Sequence, residues 1–589
     1  MNARLPAQAL ALDPSATQKL IDSAWRERIV PELVRYIEVP AKSPAFDADW
    51  VAHGLLERVL QSAADWVRAQ QVPGLTLEIV RLNDASGRPR TPVLFFEVPA
   101  SEGVGAAAER GGDDPAAGPP PGGISPLGGL RTAAPALPAQ GWTGRRGIDS
   151  GDAAACKAGP ASAAERGGQA DPAAGPPPGG ISPLGGQRPA SAAERGGPCS
   201  SGQTVLMYGH LDKQPEFNGW RSDLGPWTPK IEDGRLYGRG GADDGYAVYA
   251  SIAAIQALKA QGVAHPRIVG LIETSEESGS VDLLPYVDAL RPRLGDVGLV
   301  ICLDSGAGNY DQLWLTTSLR GMASGTLKVE VLTEGIHSGD ASGLVPSSFR
   351  IMRQVLDRLE DSATGRLLPA SFHCEVPAER LAQARATAAI LGDELYKRFP
   401  WAHHDCGGST LFALPTTTDP VEALLNRTWR PTLSVTGAEG FPALRDAGNV
   451  LRPYSAFKLS LRLPPLVDAS QAVQQLKALL EDNAPYQAKV TFEGEGAASG
   501  WNAPAATPWF EQALQDASQA HFGAGCGTIG QGGTIPLMNL LSQGFPTAQM
   551  MVCGVLGPKS NAHGPNEFLH LDYARRLTAC VAQVIARMP

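Results

Sequence analysis

Apolar residues recur along this chain with two periods, and the change from one to the other marks the expected elements. From 16 to about 71 the spacing is helical: Trp25, Ile29, Leu33 and Ile37 share one helix face. Continuous apolar runs at 91–99 (TPVLFFEVP), 204–210 (TVLMYGH), 268–272 and 298–303 read as buried strands. Helical patterns at about 245–261 and 280–291 separate the last three. Strands alternating with helices predict a largely parallel sheet covered by helices. From about 316 the texture changes: 325–332 and 457–463 alternate polar and apolar residues as half-buried strands do, with helices near 346–360 and 469–481. The first texture returns with 508–522, 549–553 and a final helix at about 572–588. The expected organisation is an α/β domain in two parts, 1–315 and 501–589, with a smaller α+β domain at 316–500 inserted in it.

Residues 101–200 stand apart. AAERGG occurs at 107–112, 163–168 and 192–197, and DPAAGPPPGGISPLGG at 114–129 and 171–186. A solenoid unit must offer an apolar face to its neighbour. These units offer scattered Ile and Leu among Gly, Pro and Ala, too little to offset the entropy of ordering, so disorder is expected. The runs at 91–99 and 204–210 would make a hairpin if joined directly. The insertion is therefore expected to hang from a hairpin tip, and its deletion to leave folding and activity intact.

Composition narrows the classes. At 589 residues, 43% hydrophobic and 19% charged, the chain is ordinary globular protein of more than one domain. A net charge of −10 argues against nucleic acid, while leaving room for a local cationic pocket. The absence of any run of 18 apolar residues argues against a membrane span, and 1–15 reads as no secretory signal. Eight cysteines without C-x-x-C, two of them (Cys156 and Cys199) in the repeat segment, suit a reduced, cytoplasmic protein.

The chemistry lies in short motifs. His210 and Asp212 close the run at 204–210, where an open α/β sheet presents side chains to a ligand crevice. The histidine can bind a divalent metal and Asp212 can accept its other ring N–H, although a satisfied polar pair reads the same way. Asp243 follows the turn YGRGGA, where a carboxylate can bridge two cations; Asp243 or Asp244 would equally cap the next helix. The phosphate-loop pattern is absent. Glu276 and Glu277 point different ways, so one can hold metal while the other faces water, unless the pair is a solvated cap. Two close carboxylates raise one pKa, as a general base requires. Asp304 closes an apolar strand, and His563 lies in the loop SNAHGPNE. Spread over 353 positions (563 minus 210), these groups form the ligand inventory of a two-metal hydrolase. No G-x-S-x-G elbow or C-x-x-C pair competes with it.

Seven stretches carry a resemblance: YGHLDKQPE (208–216), LYGRGGADD (236–244), ETSEESGS (273–280), LDSG (303–306), GIHSGDASG (335–343), GGTIP (532–536) and NAHGPNE (561–567). In this order they resemble the M20 family of metallopeptidases, especially its carnosinase-like dipeptidase branch, from about residue 20 to the end without the insertion. The resemblance implies a catalytic domain with a helix-covered, largely parallel central sheet, plus an inserted smaller α+β lid and dimerisation domain. It implies two divalent ions (Zn, Mn or Co) bridged by Asp243, one also held by His210 and Asp304, the other by Glu277 and His563. Glu276 would be the general base that deprotonates a bridging water, and Asp212 would orient His210. His337 would reach into the partner subunit's site of a homodimer and stabilise the oxyanion. Arg462 would grip the terminal carboxylate of a small peptide, with Asn449 and Thr534 as further substrate contacts. The expected activity is hydrolysis of dipeptides or short peptides, with no nucleic-acid or membrane partner. The alternatives are an N-acyl amino acid deacylase of the same superfamily and a non-catalytic metal-binding scaffold. Three departures stand out: the lysine usual after Asp244 is absent, 500–508 has no histidine, and the insertion is foreign to the family.

Overall fold

The computed structural model describes residues 11–101, 203–406 and 409–589. The expected disorder of the repeat segment, with Cys156 and Cys199, lies outside the described residues.

Six strands form the central sheet, in the order Thr76–Val80, Val93–Val98, Arg267–Glu273, Thr204–His210, Val297–Cys302 and Gln549–Val552. The last four run parallel, and the first two are added antiparallel. Every residue of Thr204–His210 is buried, which is why it reads as a continuous apolar run. Val205 and Met207 point into a core shared with helices Pro14–Ala24, Leu55–Ala69, Ala247–Ala260 and Leu571–Ala586. Leu206 and Tyr208 point into the opposite core, under helices Leu283–Leu294 and Pro536–Gly544. The expected N-terminal face is also there, with Trp25, Ile29, Leu33 and Ile37 all 0% exposed.

The expected hairpin between 91–99 and 204–210 is not formed. Arg267–Glu273 lies between the two, antiparallel to Val93–Val98 and parallel to Thr204–His210. Packing explains the preference: Phe96 sits opposite Gly270, and a Cβ on Gly270 would lie 2.0 Å from the Phe96 ring. That glycine makes room for the aromatic side chain and pins the register.

A second, antiparallel sheet runs Thr432–Glu439, Tyr454–Leu463, Gly321–Glu330, Lys489–Ala498. With helices Ser348–Leu356 and Ala469–Glu481 it encloses its own core, including Leu327, Ile351, Leu459 and Leu476. Two helices that the sequence pattern did not reveal, Ala378–Leu391 and Pro420–Thr428, pack against strand Gly527–Gln531. The second begins at Pro420 because Asp419 accepts hydrogen bonds from the backbone N–H groups of Val421 and Glu422. Among the described residues, Cys302, Cys374, Cys526, Cys553 and Cys580 are free, and no helix is long and apolar enough to cross a membrane.

Candidate metal centre and substrate side

The carboxyl ends of three parallel strands converge on one edge of the sheet, where such sheets hold their ligands. Thr204–His210 ends in His210, Arg267–Glu273 leads into the turn carrying Glu276 and Glu277, and Val297–Cys302 leads to Asp304. Asp243 arrives from the glycine-rich turn before helix Ala247–Ala260, and His563 from the loop before Phe568–His570.

Asp243 stands between the two histidines. Its Oδ1 is 3.5 Å from His210 Nε2 and its Oδ2 is 3.0 Å from His563 Nε2. On the His210 side, Asp304 Oδ2 lies 3.8 Å from the same Nε2; on the other, Glu277 Oε2 lies 3.3 Å from His563 Nε2. Ligand atoms of His210, Glu276 and Asp304 fall within 4.8 Å of one another, as do those of His210, Asp243 and Glu277. All six residues therefore reach one small volume.

The electrostatics of that volume call for cations. Burial pushes Glu276 up to about 7, and Glu277, Asp304 and Asp244 well above the usual carboxylate range. Asp243 alone is held well below that range: burial would raise it, but the two imidazoles beside it, His210 and His563, outweigh that. His210 Nε2 is buried without a hydrogen-bond partner, as are both carboxylate oxygens of Asp244. An excess of buried carboxylates around an oriented, unpartnered imidazole fits divalent cations with nitrogen and oxygen ligands.

Asp212 has more to hold than His210. Its Oδ1 lies 3.4 Å from His210 Nδ1, whose ring bond at 3.2 Å goes to the Asp212 main-chain carbonyl. Its two oxygens also accept the backbone N–H groups of Glu276, at 3.1 Å, and Glu277, at 2.9 Å. One carboxylate thus orients a histidine and the paired glutamates together.

Sequence reasoning missed the pair that holds His563. Arg239, 1% exposed, donates to Glu567 at 2.5 Å and to the carbonyls of His563 at 3.0 Å and Gly564 at 2.8 Å. Glu567 also accepts from the Gly240 N–H at 2.9 Å, tying the Asp243 turn to the His563 loop. Gln214 likewise donates to Glu277 at 2.5 Å. The absent lysine after Asp244 also has a local reason. A Cβ on Gly245 would lie 2.2 Å from the Tyr36 ring, which fills that space and carries Lys213 Nζ 3.8 Å above its centre.

The remaining expected residues form two groups. His337 is exposed in a two-residue strand paired with Val450, and the Ser338 N–H donates to the Asn449 carbonyl at 2.9 Å. His337 and Asn449 are thus side by side; among the described residues neither bonds to the Asp243 cluster. Arg462 Nη1 donates to Thr534 Oγ1 at 3.0 Å, linking the second sheet to the GGTIP loop.

Comparison with known proteins follows the same lines. The profile described as "Peptidase family M20/M25/M40" matches residues 206–587. The cysteinylglycine-S-conjugate dipeptidase of Corynebacterium striatum is 30% identical over 380 residues, covering 63% of this chain and 78% of that one. Human Beta-Ala-His dipeptidase is 30% identical over 284 residues, covering 47% of this chain and 54% of that one. The fold is similar to that of human carnosine dipeptidase 1, with a TM-score of 0.65 at 19% identity over 99% of both chains. It is also similar to the dipeptidase Dug1p of Saccharomyces cerevisiae, with a TM-score of 0.63 at 18% identity over 98% of this chain and 99% of that one. Its motifs, its sheet-edge cluster and the matched profile together show that the chain belongs to peptidase family M20/M25/M40.

Proposed function

We propose that this chain is a metal-dependent dipeptidase acting on small peptides with a free terminal carboxylate. The observation that carries the reading is the convergence of His210, Asp243, Glu277, Asp304 and His563 on one volume, with Glu276 beside them. Two divalent ions (Zn, Mn or Co) are proposed there: His210 and Asp304 would hold one, Glu277 and His563 the other, and Asp243 would serve both. Such ions supply Lewis acidity, polarising a carbonyl and lowering the pKa of water toward ~7.

The chain's own residues have separate tasks in this reading. Glu276 takes the proton of the attacking water and returns it to the leaving amine. Asp212 fixes the His210 ring and the turn that aims Glu276. Arg462 takes the substrate carboxylate, with Thr534 beside it, because a planar guanidinium matches that anion. His337, with Asn449 next to it, donates to the oxyanion in the partner subunit of a homodimer. The exposure of both residues and their lack of bonds to their own chain's cluster support this trans arrangement. In domain terms, 1–315 and 501–589 form the catalytic domain and 316–500 the lid. A cytoplasmic location accords with the free thiols.

The names of the relatives favour peptides over acylated amino acids. A panel of dipeptides and their N-acetylated forms tests this. Hydrolysis of the free dipeptides supports the reading; cleavage of the acyl bond alone makes the chain a deacylase.

A further inference from the structure

Arg320, Arg427 and Arg462 stand around the Gly532–Thr534 loop, and neither they nor Arg398 form an ion pair with a carboxylate among the described residues. The contacts are continuous. Arg462 Nη1 donates to Thr534 Oγ1 at 3.0 Å, Thr534 Oγ1 donates to the Arg320 carbonyl at 2.6 Å, and Arg320 Nε donates to the Gly532 carbonyl at 3.2 Å. Gly532 lies against Arg427: a Cβ there would be 3.1 Å from Arg427 O, 3.3 Å from its Cγ and 3.2 Å from Arg320 Nη2. Arg398 follows the short helix Glu394–Lys397, which packs against Pro420–Thr428, the helix that carries Arg427.

The guanidinium groups differ in how they are satisfied. Arg320 is an anchor, its Nη1 donating to Thr432 Oγ1 at 3.1 Å and to the carbonyls of Asn426 and Arg430 at 3.4 Å. Arg427 and Arg398 make no side-chain hydrogen bond to any described residue, and Arg427 Nε is fully buried without a partner. Burial and its arginine neighbours depress Arg427 to about 9, and burial with Arg462 depresses Arg320 to about 10. A buried donor left unpaired is costly, and more so when it is charged. Acids are near enough in sequence to have served: Glu422, on the helix that carries Arg427, pairs instead with Arg430 at 2.6 Å. The chain as a whole carries a net charge of −10, so acidic residues are not scarce.

We propose that Arg427 and Arg398, backed by Arg320, form a binding site for a small oxyanion, a carboxylate or phosphate, beside the Arg462–Thr534 pair. Guanidinium groups recognise such anions with paired, charge-assisted hydrogen bonds. Two sources supply this chemistry. One is the acidic side chain of a substrate's C-terminal residue, whose second carboxylate would lie beyond the one assigned to Arg462; this source rests on the dipeptidase reading. The other is free inorganic phosphate, which does not.

Two measurements on the full-length protein and on R427Q and R398Q decide the matter. The first is the unfolding temperature in phosphate and in glutarate, against chloride at equal ionic strength. Anion-specific stabilisation of the wild type, lost in both variants, supports the site. The second is the ratio of kcat/KM for Gly-Glu over the neutral, isosteric Gly-Gln. A fall of about tenfold or more in R427Q, the size expected for one charge-assisted hydrogen bond, supports the substrate side chain as occupant. Stabilisation by phosphate with an unchanged ratio identifies the free anion. Anion-independent stability together with an unchanged ratio overturns the site, as does stabilisation that persists in both variants. If neither dipeptide is hydrolysed, the substrate side chain falls as the occupant, the dipeptide panel decides the dipeptidase reading, and the unfolding measurement still decides the anion site.

Discussion

Asp212 and Glu276 sit a hydrogen bond apart in the structure, and their proposed roles separate cleanly on substitution. Glu276→Gln keeps the shape of the side chain and removes the base, so turnover should fall by about 10²–10⁴-fold with metal content unchanged. Asp212→Asn leaves one oxygen to serve two backbone N–H groups and the histidine side, so metal affinity should fall by about 10–100-fold. Turnover measured beside bound metal by atomic absorption distinguishes them; retained activity in Glu276→Gln would contradict the assigned base. As candidates, His210, Asp243 and Asp304 stood out in the sequence because each follows an apolar run or a glycine-rich turn, whereas His563, in a plain loop, was singled out by the family resemblance. Arg239 and Glu567 were not legible there, because their partnership spans 328 positions and neither residue is unusual locally. Nor could Gly245 be understood until Tyr36 was seen filling the space of its missing side chain.

Among elements, the helices and parallel strands followed their hydrophobic periods closely, as helix Pro508–Phe522 shows. Strand neighbours did not. With the insertion set aside, sequence order favours a hairpin between Val93–Val98 and Thr204–His210; the Phe96–Gly270 fit shows why Arg267–Glu273 comes between them. Helix packing supplies a pH test. His521, 9% exposed on Pro508–Phe522, lies 3.1 Å from Gln18 on one terminal helix and 3.0 Å from Gln583 on the other. Burial lowers its pKa below the ordinary 6.5, so the unfolded chain takes up a proton that the folded chain refuses. The resulting stability is complete above about pH 6.5 and is lost below it, by up to about 1.4 kcal/mol per unit while the folded ring stays neutral. Urea unfolding from pH 7 to 5 should therefore show the wild type losing stability faster than His521→Gln. Parallel curves would show that the ring is not held neutral.

For the whole molecule, the role proposed for His337 calls for a second chain. His337 and Asn449 are presented together on the second sheet's side, away from bonds to their own Asp243 cluster. If His337 acts in trans, His337→Ala and Glu276→Gln should each be inactive alone and complement on mixing. Half of randomly mixed dimers pair the two variants and hold one complete site, so activity should return to about a quarter of wild type. A mixture as inactive as its parents would place His337 in its own chain's site or outside the mechanism.

Residues from five distant segments are proposed to assemble a two-ion peptidase centre, and metal stoichiometry is the decisive measurement. Metal-stripped protein should be titrated with Zn, Mn or Co while dipeptide hydrolysis is followed. The stripped protein should show no hydrolysis, and activity should saturate at two ions per chain. Hydrolysis without metal, or full activity at one ion per chain, would contradict the two-ion centre.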